Sequence, residues 1–202
     1  MTQHEDQVVE AFIDLRSPYS YLALKPVFLL AERSGVAIDW WPYITDFRSA
    51  YGGEVEQRSS REIAKLKYLY MDCRRLARQQ DLTIHATTKL WDATLASQAM
   101  LFAKSMNRLW EFCHPLLAAF WHREFDLESA EQIQAALISA GMKASDWRDY
   151  LDQNAQSDLT AASERAAQLG VFGAPTFVFQ SELFWGGDRL ELLAERISST
   201  NQ

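Results

Sequence analysis

The chain has 202 residues, 48% of them hydrophobic, and a formal net charge of −7. This amount of apolar material suffices for one well-packed core, or for one domain that carries a large insertion. Because nucleic acids and anionic membranes select for an excess of Lys and Arg, the acidic balance argues against both as the main partner.

The sequence carries no signature of export, membrane insertion or metal binding. The N-terminal segment MTQHEDQVVE lacks the basic and apolar regions of a secretory signal, and no run of about 18 apolar residues predicts a transmembrane helix. Cys73 and Cys113 lie far apart, and neither belongs to a Cys-x-x-Cys pair, which argues against a zinc site or a dithiol centre. We therefore expect a cytoplasmic protein with reduced, packed thiols, while a disulfide between the two stays open.

The N-terminal part of the chain predicts a β-α-β unit. Residues 7–15 are rich in Val, Ile and Phe and predict a strand, and residues 18–35 carry apolar side chains at helical spacing up to a glycine stop. Pro26 lies inside that helix and should kink it or remove one backbone hydrogen bond. Residues 36–44 predict a second strand, which a right-handed crossover places parallel to the first.

A long helical block follows. Between Ser59 and Leu169 the chain contains one proline, Pro115, and one glycine, Gly141, and Ala, Leu, Gln, Glu, Lys and Arg dominate. This composition predicts about five helices, one of them broken or kinked at Pro115.

The C-terminal segment predicts a hairpin and a closing helix. Residues 175–179 and 182–185 are short β-segments separated by Gln180 and Ser181, and residues 186–199 predict a helix. Without the helical block the order is β-α-β-β-α, which is the thioredoxin arrangement. We predict an α/β, thioredoxin-like fold made of residues 1–46 plus 165–202, with residues 47–164 as a large inserted all-helical domain.

The junction of the first strand and helix, in FIDLRSPYSYLA, carries two hydroxyls. Ser17 and Ser20 stand three residues apart, a spacing that in redox proteins with this unit belongs to two cysteines. Because Ser17 followed by Pro18 is a favoured helix start, one interpretation is a plain N-cap. The other is a ligand site, because the positive end of a helix favours an anion such as a thiolate. A serine can donate a hydrogen bond to sulfur but cannot supply it, so the thiol would be external.

Two C-terminal segments could complete a site at this turn. In GVFGAPTF, a cis bond between Ala174 and Pro175 would expose the Ala174 backbone to an extended peptide, whereas a trans bond would open an ordinary edge strand. The topology favours the cis form. In FWGGDRLELL, Asp188 could cap the last helix, receive a ligand ammonium, or do both.

Together these segments resemble the glutathione-dependent branch of the DsbA-like thioredoxin superfamily, which comprises 2-hydroxychromene-2-carboxylate isomerases and kappa-class glutathione transferases. FIDLRSPYSYLA resembles the active-site strand, turn and helix of that family, GVFGAPTFVF its cis-proline segment, and FWGGDRLELL its glutamyl-binding segment. SSREIAKLKYLYMDCRRLA and DATLASQAMLFA resemble its first inserted helices. The resemblance covers nearly the whole chain and implies the same fold.

The resemblance also implies a glutathione site. Ser17 would donate a hydrogen bond to the glutathione sulfur and favour its thiolate. Ala174, beside Pro175, would pair through its backbone with the cysteinyl part of the tripeptide. Asp188, beside Gly187, would receive the γ-glutamyl amine.

Further contacts are expected on the insertion and around the turn. The resemblance places Lys65 and Tyr68 where the first inserted helix faces the cleft, as additional cofactor contacts. Relatives usually carry an apolar residue at the position of Arg16. The arginine is therefore either a contact for a substrate carboxylate or a solvated strand end. Tyr19 is a predicted substrate contact, and so is Trp91, because the aromatic residues of the presumed cleft suit a flat ring. The other aromatic residues that could line that cleft are Trp40, Trp41 and Tyr43, although large aromatic residues more often pack in a core.

Two departures from the family pattern concern glutathione binding. Relatives often carry Asn or Ser just before the aspartate, and Gly187 at that position offers no side-chain hydrogen bond. Many relatives also have a Gly-Asn step after the second strand. Here the loop reads YGGEVE, with Glu54 and Glu56 near the expected place of an anionic tripeptide.

The leading functional hypothesis is a glutathione-dependent isomerase, which would use the cofactor's thiolate to attack a conjugated carbonyl of a small aromatic-derived acid. A kappa-like transferase that consumes glutathione stays open, and so does a non-catalytic member that binds a thiol peptide or a protein. A redox role is disfavoured because no second thiol stands at the turn. Family analogy implies a homodimer.

Overall fold

The computed structural model describes residues 8–51 and 58–200. Its strands are β1 (Val8–Ile13), β2 (Ala37–Pro42), β3 (Thr176–Phe179) and β4 (Glu182–Trp185). Its α-helices are α1 (Pro18–Ser34), α2 (Phe47–Tyr51), α3 (Ser60–Gln79), α4 (Thr94–Ser105), α5 (Leu109–Trp121), α6 (Ala130–Ser139), α7 (Ala144–Gln153), α8 (Ala155–Gln168) and α9 (Leu190–Thr200). No helix in this part of the chain combines the length and the apolar character that a membrane span needs.

The strands form one mixed sheet in the order β2-β1-β3-β4. β1 runs parallel to β2 and antiparallel to β3, so Ala11 pairs with Trp40 on one side and with Phe177 on the other. The predicted β-α-β unit is confirmed. The predicted hairpin is confirmed as well, and its turn residues Gln180 and Ser181 have φ angles of 50° and 66°. Positive φ at both central positions is typical of a type I′ turn, which matches the twist of the flanking strands.

Helices continue through both prolines that the sequence places inside them. α1 runs through Pro26 and ends at Gly35, whose φ of 70° lets its N–H donate to the Ala31 carbonyl. α5 also runs through Pro115, so of the two expected outcomes the break is wrong, and the kink stays a prediction. Leu116 and Leu117 on α5 are buried, and this packing offsets the backbone hydrogen bond that the proline removes.

α4 is the central helix of the helical block. Residues 96–103 are all buried, as the uniformly apolar character of the segment predicts. α4 packs against α5, α6, α7 and α8, and also against β2 of the sheet. The block contains six helices from α3 to α8, where the sequence predicts about five, because the segment expected as one helix divides at Asn154 into α7 and α8.

The helical block and the sheet share one hydrophobic core. Val9 of β1 and Phe112 of α5 are fully buried in the same cluster. The predicted domain boundary at residue 164 falls inside α8, which packs on β2. The next residue, Arg165, forms a 2.6 Å ion pair with Glu10 of β1. The division into a thioredoxin-like domain and an inserted helical domain stays a prediction.

Candidate active site

Ser17 caps α1 in the turn that connects β1 to this helix. Its backbone is extended (φ −87°, ψ 121°), and its hydroxyl oxygen accepts a hydrogen bond from the Ser20 N–H at 3.3 Å. Pro18 occupies the first helical turn, where a backbone N–H has no helical partner to lose. The Ser17 N–H donates to the Asp14 carbonyl at 2.9 Å and closes the turn. The predicted N-cap is confirmed.

The same hydroxyl contacts the proline segment. Ser17 Oγ donates to the carbonyl oxygen of Ala174 at 3.4 Å, although the two residues are 157 positions apart in the chain. The bond between Ala174 and Pro175 is cis, as predicted. The register between β1 and β3 starts at Thr176, so Ala174 lies outside the paired residues of the sheet. The fold therefore brings the start of α1 and the cis-proline segment to one point.

Ser20 has a different environment from Ser17. It is fully buried, and its hydroxyl oxygen accepts a hydrogen bond from the Asp14 N–H at 3.2 Å. This contact holds the turn together from the inside. Of the two hydroxyls in the turn, Ser17 is the one that stands beside the proline segment.

The electrostatic environment of Ser17 favours a negative charge. The first turn of α1 contains no acidic residue, and its N–H groups and the positive end of the helix dipole lie at the Ser17 hydroxyl. The bond from Ser17 to the Ala174 carbonyl is long and therefore weak, so exchanging it for a bond to a stronger acceptor costs little. A thiolate placed here would gain a charge-assisted hydrogen bond as well as the field of the helix.

The third predicted segment lies against α1. A 3₁₀ turn, Gly187–Arg189, follows Gly186, whose φ of 101° favours glycine. A Cβ built on Gly187 would lie 3.4 Å from the Ala23 Cβ of α1, so the turn and the helix are in close approach. Asp188 does not cap α9. Its side chain is 73% exposed, and its carboxylate accepts a 2.7 Å hydrogen bond from the neighbouring Arg189.

Arg16 is a structural link in this turn. Its guanidinium forms a forked ion pair with Asp14 (Nε–Oδ1 3.0 Å, Nη2–Oδ2 2.8 Å). It also donates to the carbonyls of Trp91 (3.0 Å) and Thr45 (2.9 Å) and lies 4.7 Å from the centre of the Phe47 ring. Its side chain is only 12% exposed, so the expectation of a solvated strand end is wrong. The buried Asp14 carboxylate draws the arginine inward, because an unpaired buried charge is costly.

A cavity of about 230 Å³ adjoins the turn. Its walls combine aromatic rings with three cationic side chains, and none of the described residues that line it is acidic. The lining residues are Arg16, Pro18, Phe47, Arg58, Leu66, Leu69, Tyr70, Thr87, Thr88, Lys89, Leu90 and Trp91. Such a surface suits a flat anion.

The cavity contains some of the predicted substrate contacts and not others. Trp91 lines it, with its ring 5.8 Å from the Phe120 ring in an edge-on arrangement and the Lys89 Nζ 4.2 Å above its centre. Tyr19 does not line it. The Tyr19 hydroxyl donates to Asp72 of α3 at 3.0 Å, and its pKa is raised mainly by burial, so it stays protonated. The other aromatic residues expected there lie elsewhere: Trp40, Trp41 and Tyr43 pack in the hydrophobic clusters.

The predicted cofactor contacts on α3 do not line this cavity either. Lys65 and Tyr68 have exposed side chains, and α3 contributes Leu66, Leu69 and Tyr70 to the cavity instead. Glu54 and Glu56 of the loop YGGEVE fall within residues 52–57, which are outside the described part of the chain.

Sequence reasoning missed five polar residues of the cavity, Arg58, Tyr70, Thr87, Thr88 and Lys89. The hydroxyl of Tyr70 is hydrogen-bonded to Thr87 (Oγ1 at 3.1 Å, N–H at 3.2 Å), which attaches the loop before α4 to α3. That loop has no periodic pattern that could place it. The sequence feature that could have indicated this loop is the lysine two positions before the tryptophan in TTKLW.

A comparison with protein families shows to which family this chain belongs. A family model described as DSBA-like thioredoxin domain matches residues 8–198. The chain belongs to the DsbA-like thioredoxin family. The predicted fold class is therefore confirmed, with a four-stranded mixed sheet and many helices.

Two relatives of this DsbA-like chain are similar over nearly their whole length. It is 26% identical over 190 residues to 2-hydroxychromene-2-carboxylate isomerase of Sphingobium xenophagum, covering 93% of this chain and 96% of the isomerase. It is 27% identical over 205 residues to glutathione S-transferase kappa 1 of Homo sapiens, covering 93% and 89%. A solved structure of 2-hydroxychromene-2-carboxylate isomerase has the same fold, with a TM-score of 0.74 at 22% identity and coverage of 96% and 95%. The family resemblance seen in the sequence is confirmed.

In this DsbA-like chain no cysteine stands at the turn, and both of its thiols are packed in the core. Cys73 of α3 and Cys113 of α5 are fully buried and unpaired, as expected. Burial raises the pKa of Cys73 to about 12 and also raises the pKa of Cys113. Since the thiolate is the reactive form, neither thiol can serve as a nucleophile near neutral pH.

We expect neither native thiol to react with iodoacetamide at about pH 8, because Cys73 and Cys113 are both protonated and inaccessible. Mass spectrometry after brief treatment should show unmodified protein, and two additions should appear once guanidinium has unfolded the chain. Fast alkylation of native Cys73 would contradict this expectation and would indicate a reactive thiol on α3.

Proposed function

We propose that the chain is a glutathione-dependent isomerase of the 2-hydroxychromene-2-carboxylate isomerase type. The observation that carries the proposal is the position of Ser17, whose hydroxyl lies at the start of α1 and beside the Ala174 carbonyl. The site has the anion-stabilising features of a thiolate site and has no sulfur of its own. An external thiol supplies the missing group.

The residues around Ser17 fit a γ-glutamyl tripeptide. The Ala174 backbone lies outside the sheet register, so it can pair with the main chain of the cysteinyl part. The exposed Asp188 carboxylate, on the turn that packs against α1, can receive the γ-glutamyl ammonium. Lys65 and Tyr68 on α3 are accessible for additional contacts with the tripeptide.

When bound, glutathione supplies a nucleophilic thiolate that adds to a conjugated carbonyl compound and leaves again, so it is not consumed. Ser17 favours the charged sulfur by donating its hydroxyl hydrogen, and α1 contributes the positive end of its dipole. A lowering of the thiol pKa by two pH units corresponds to about 2.7 kcal/mol. The stabilisation of a thiolate by one charge-assisted hydrogen bond and one helix terminus together is of about that magnitude.

The adjoining cavity supports an aromatic-derived acid as the substrate. Arg16 and Pro18, the neighbours of Ser17, both line it, so a molecule in the cavity would lie beside the turn that carries Ser17. The rings of Phe47, Tyr70 and Trp91 suit a flat molecule, and the cationic lining suits a carboxylate.

A second candidate is a kappa-type glutathione transferase, which the 27% identity to the human enzyme favours. The same site would serve both reactions, because each needs a stabilised thiolate beside an electrophile. The two functions differ in whether glutathione is recovered.

The test is a titration of glutathione in complex with the wild-type protein, followed through the ultraviolet absorbance of the thiolate. We expect a thiol pKa about two pH units below that of free glutathione. An unchanged thiol pKa would overturn the proposal. Product analysis with 2-hydroxychromene-2-carboxylate then separates the candidates, since an isomerised acid with free glutathione identifies an isomerase and a thioether adduct identifies a transferase.

The family analogy extends the proposal to a cytoplasmic homodimer. Light scattering behind a size-exclusion column measures the oligomeric state directly, and a mass close to that of one 23.2 kDa chain would contradict the dimer.

A further inference from the structure

The three cations that line the cavity differ in how their charge is compensated. The Arg16 guanidinium is bound by the buried Asp14 carboxylate. The Lys89 ammonium lies 2.6 Å from a carboxylate oxygen of Glu128. Both cations are therefore largely neutralised by partners of this chain.

Arg58 is different. Its Nε is buried and has no hydrogen-bond partner, and the side chain forms no ion pair with any residue in 8–51 or 58–200. Among the described carboxylates, Glu62 senses its charge: the pKa of Glu62 is lowered chiefly by hydrogen bonds from Ser59 and to a lesser degree by Arg58. Glu62 is occupied in the capping box of α3, where it accepts from the Ser59 N–H and hydroxyl. A buried charged donor without an acceptor is costly, and a ligand oxygen can satisfy it.

The aromatic walls of the cavity are held in place independently of Arg58. Trp91 is fixed between the Phe120 ring and the Lys89 ammonium, and its carbonyl accepts from Arg16. Tyr70 is fixed by its hydrogen bonds to Thr87. At about 230 Å³ the cavity is smaller than typical drug-sized pockets of roughly 300–1,000 Å³, so it suits a molecule with one or two rings.

We propose that Arg58 binds the carboxylate of a flat aromatic acid whose ring occupies the cavity between Tyr70 and Trp91. This inference rests on the proposed function and adds the residue that selects the acid. Arg58 gains an acceptor for its buried Nε–H, while the paired cations Arg16 and Lys89 line the cavity without giving up their own carboxylates. Selection follows, because a neutral analogue of the same shape offers the buried Nε–H no charged acceptor, and the described residues offer it none either.

The test compares trans-cinnamate with its neutral analogue cinnamamide by isothermal titration calorimetry, in the absence of glutathione. We expect the wild-type protein to bind cinnamate about 10- to 100-fold more tightly than the amide. Arg58→Met keeps the apolar stem and removes the charge, so it should lower cinnamate affinity by that factor and leave the amide affinity unchanged. Arg58→Lys should retain part of the preference. Arg61→Met is the matched control, because Arg61 is exposed on α3 and does not line this cavity.

The outcomes separate this inference from the proposed function. The role of Arg58 is overturned if Arg58→Met leaves the cinnamate affinity unchanged. It is also overturned if the wild-type protein binds neither probe, or binds both with equal affinity. A lowered glutathione thiol pKa that persists in Arg58→Met, together with lost acid affinity, supports both proposals. An unshifted thiol pKa in the wild type, with acid binding that still depends on Arg58, removes the isomerase and leaves the acid site. Circular dichroism of each variant verifies that it is folded.

Discussion

Replacing Ser17 by Ala is expected to return the thiol pKa of bound glutathione to that of the free tripeptide and to slow isomerisation about 100-fold. In the proposed complex the Ser17 hydroxyl is the donor to the sulfur, because it stands at the start of α1 and reaches the Ala174 carbonyl at 3.4 Å. A rise of the thiol pKa by two pH units corresponds to about 2.7 kcal/mol. At a pH below the thiol pKa of both proteins it lowers the thiolate fraction, and with it the rate, about 100-fold. The rate of the wild type should rise with pH through the lowered thiol pKa, and that rise should move to higher pH in the variant.

The control for Ser17→Ala is Ser20→Ala, which removes the same hydroxyl from the same turn. Ser20 is fully buried and holds the Asp14 N–H, so its loss should lower stability and leave the thiol pKa of bound glutathione lowered. Ser17→Ala also removes a helix cap worth about 0.5–2 kcal/mol, so thermal unfolding is measured for both variants. Ser17→Thr keeps the hydroxyl and should retain most of the effect. Equal thiol pKa values in wild type and Ser17→Ala would contradict the assignment of Ser17.

The parts of the site that the sequence predicts are those with a local chemical signature. A serine before a proline marks the start of α1, and the same residue explains the cap and the contact to Ala174. The Ala174–Pro175 step could be assigned as cis because the element order already indicated a thioredoxin-like topology. In each case a short motif and its place in the order of elements were sufficient.

The cavity could not be predicted because its walls come from segments that are distant in the chain. The amphipathic pattern of α3 indicates an apolar face, but it does not say which neighbour covers that face. On α3 the residues Leu66, Leu69 and Tyr70 line the cavity, while the exposed Lys65 and Tyr68 do not, and their contact with the tripeptide stays a prediction. A rotation of about 100° per residue along a helix is enough to separate the two sets.

Arg16 shows a second limit of sequence reasoning. A charged residue at the end of a strand is typically solvated, and the sequence does not reveal that Asp14, two positions earlier, points inward. Burial of one charge makes burial of its partner favourable. The pair then recruits the carbonyls of Thr45 and Trp91, which no local pattern could indicate.

Replacing Arg16 by Met is expected to lower the free energy of unfolding by about 3–5 kcal/mol, because it leaves the Asp14 carboxylate buried without its cation. The control is Arg108→Met. Arg108 pairs with Glu111 on the surface, with both side chains about half exposed, and such pairs contribute about 0–1 kcal/mol. Urea unfolding followed by circular dichroism measures both values.

A double variant, Arg16→Met with Asp14→Asn, tests the physical cause of this loss. The asparagine carries no charge and can still accept the Thr45 N–H that Asp14 holds at 2.8 Å, so the double variant should be more stable than Arg16→Met alone. An Arg16→Met variant that is no less stable than Arg108→Met would show that water reaches Asp14. The ion pair would then not be the link that holds the Ser17 turn, the segment after β2 and the loop before α4 together.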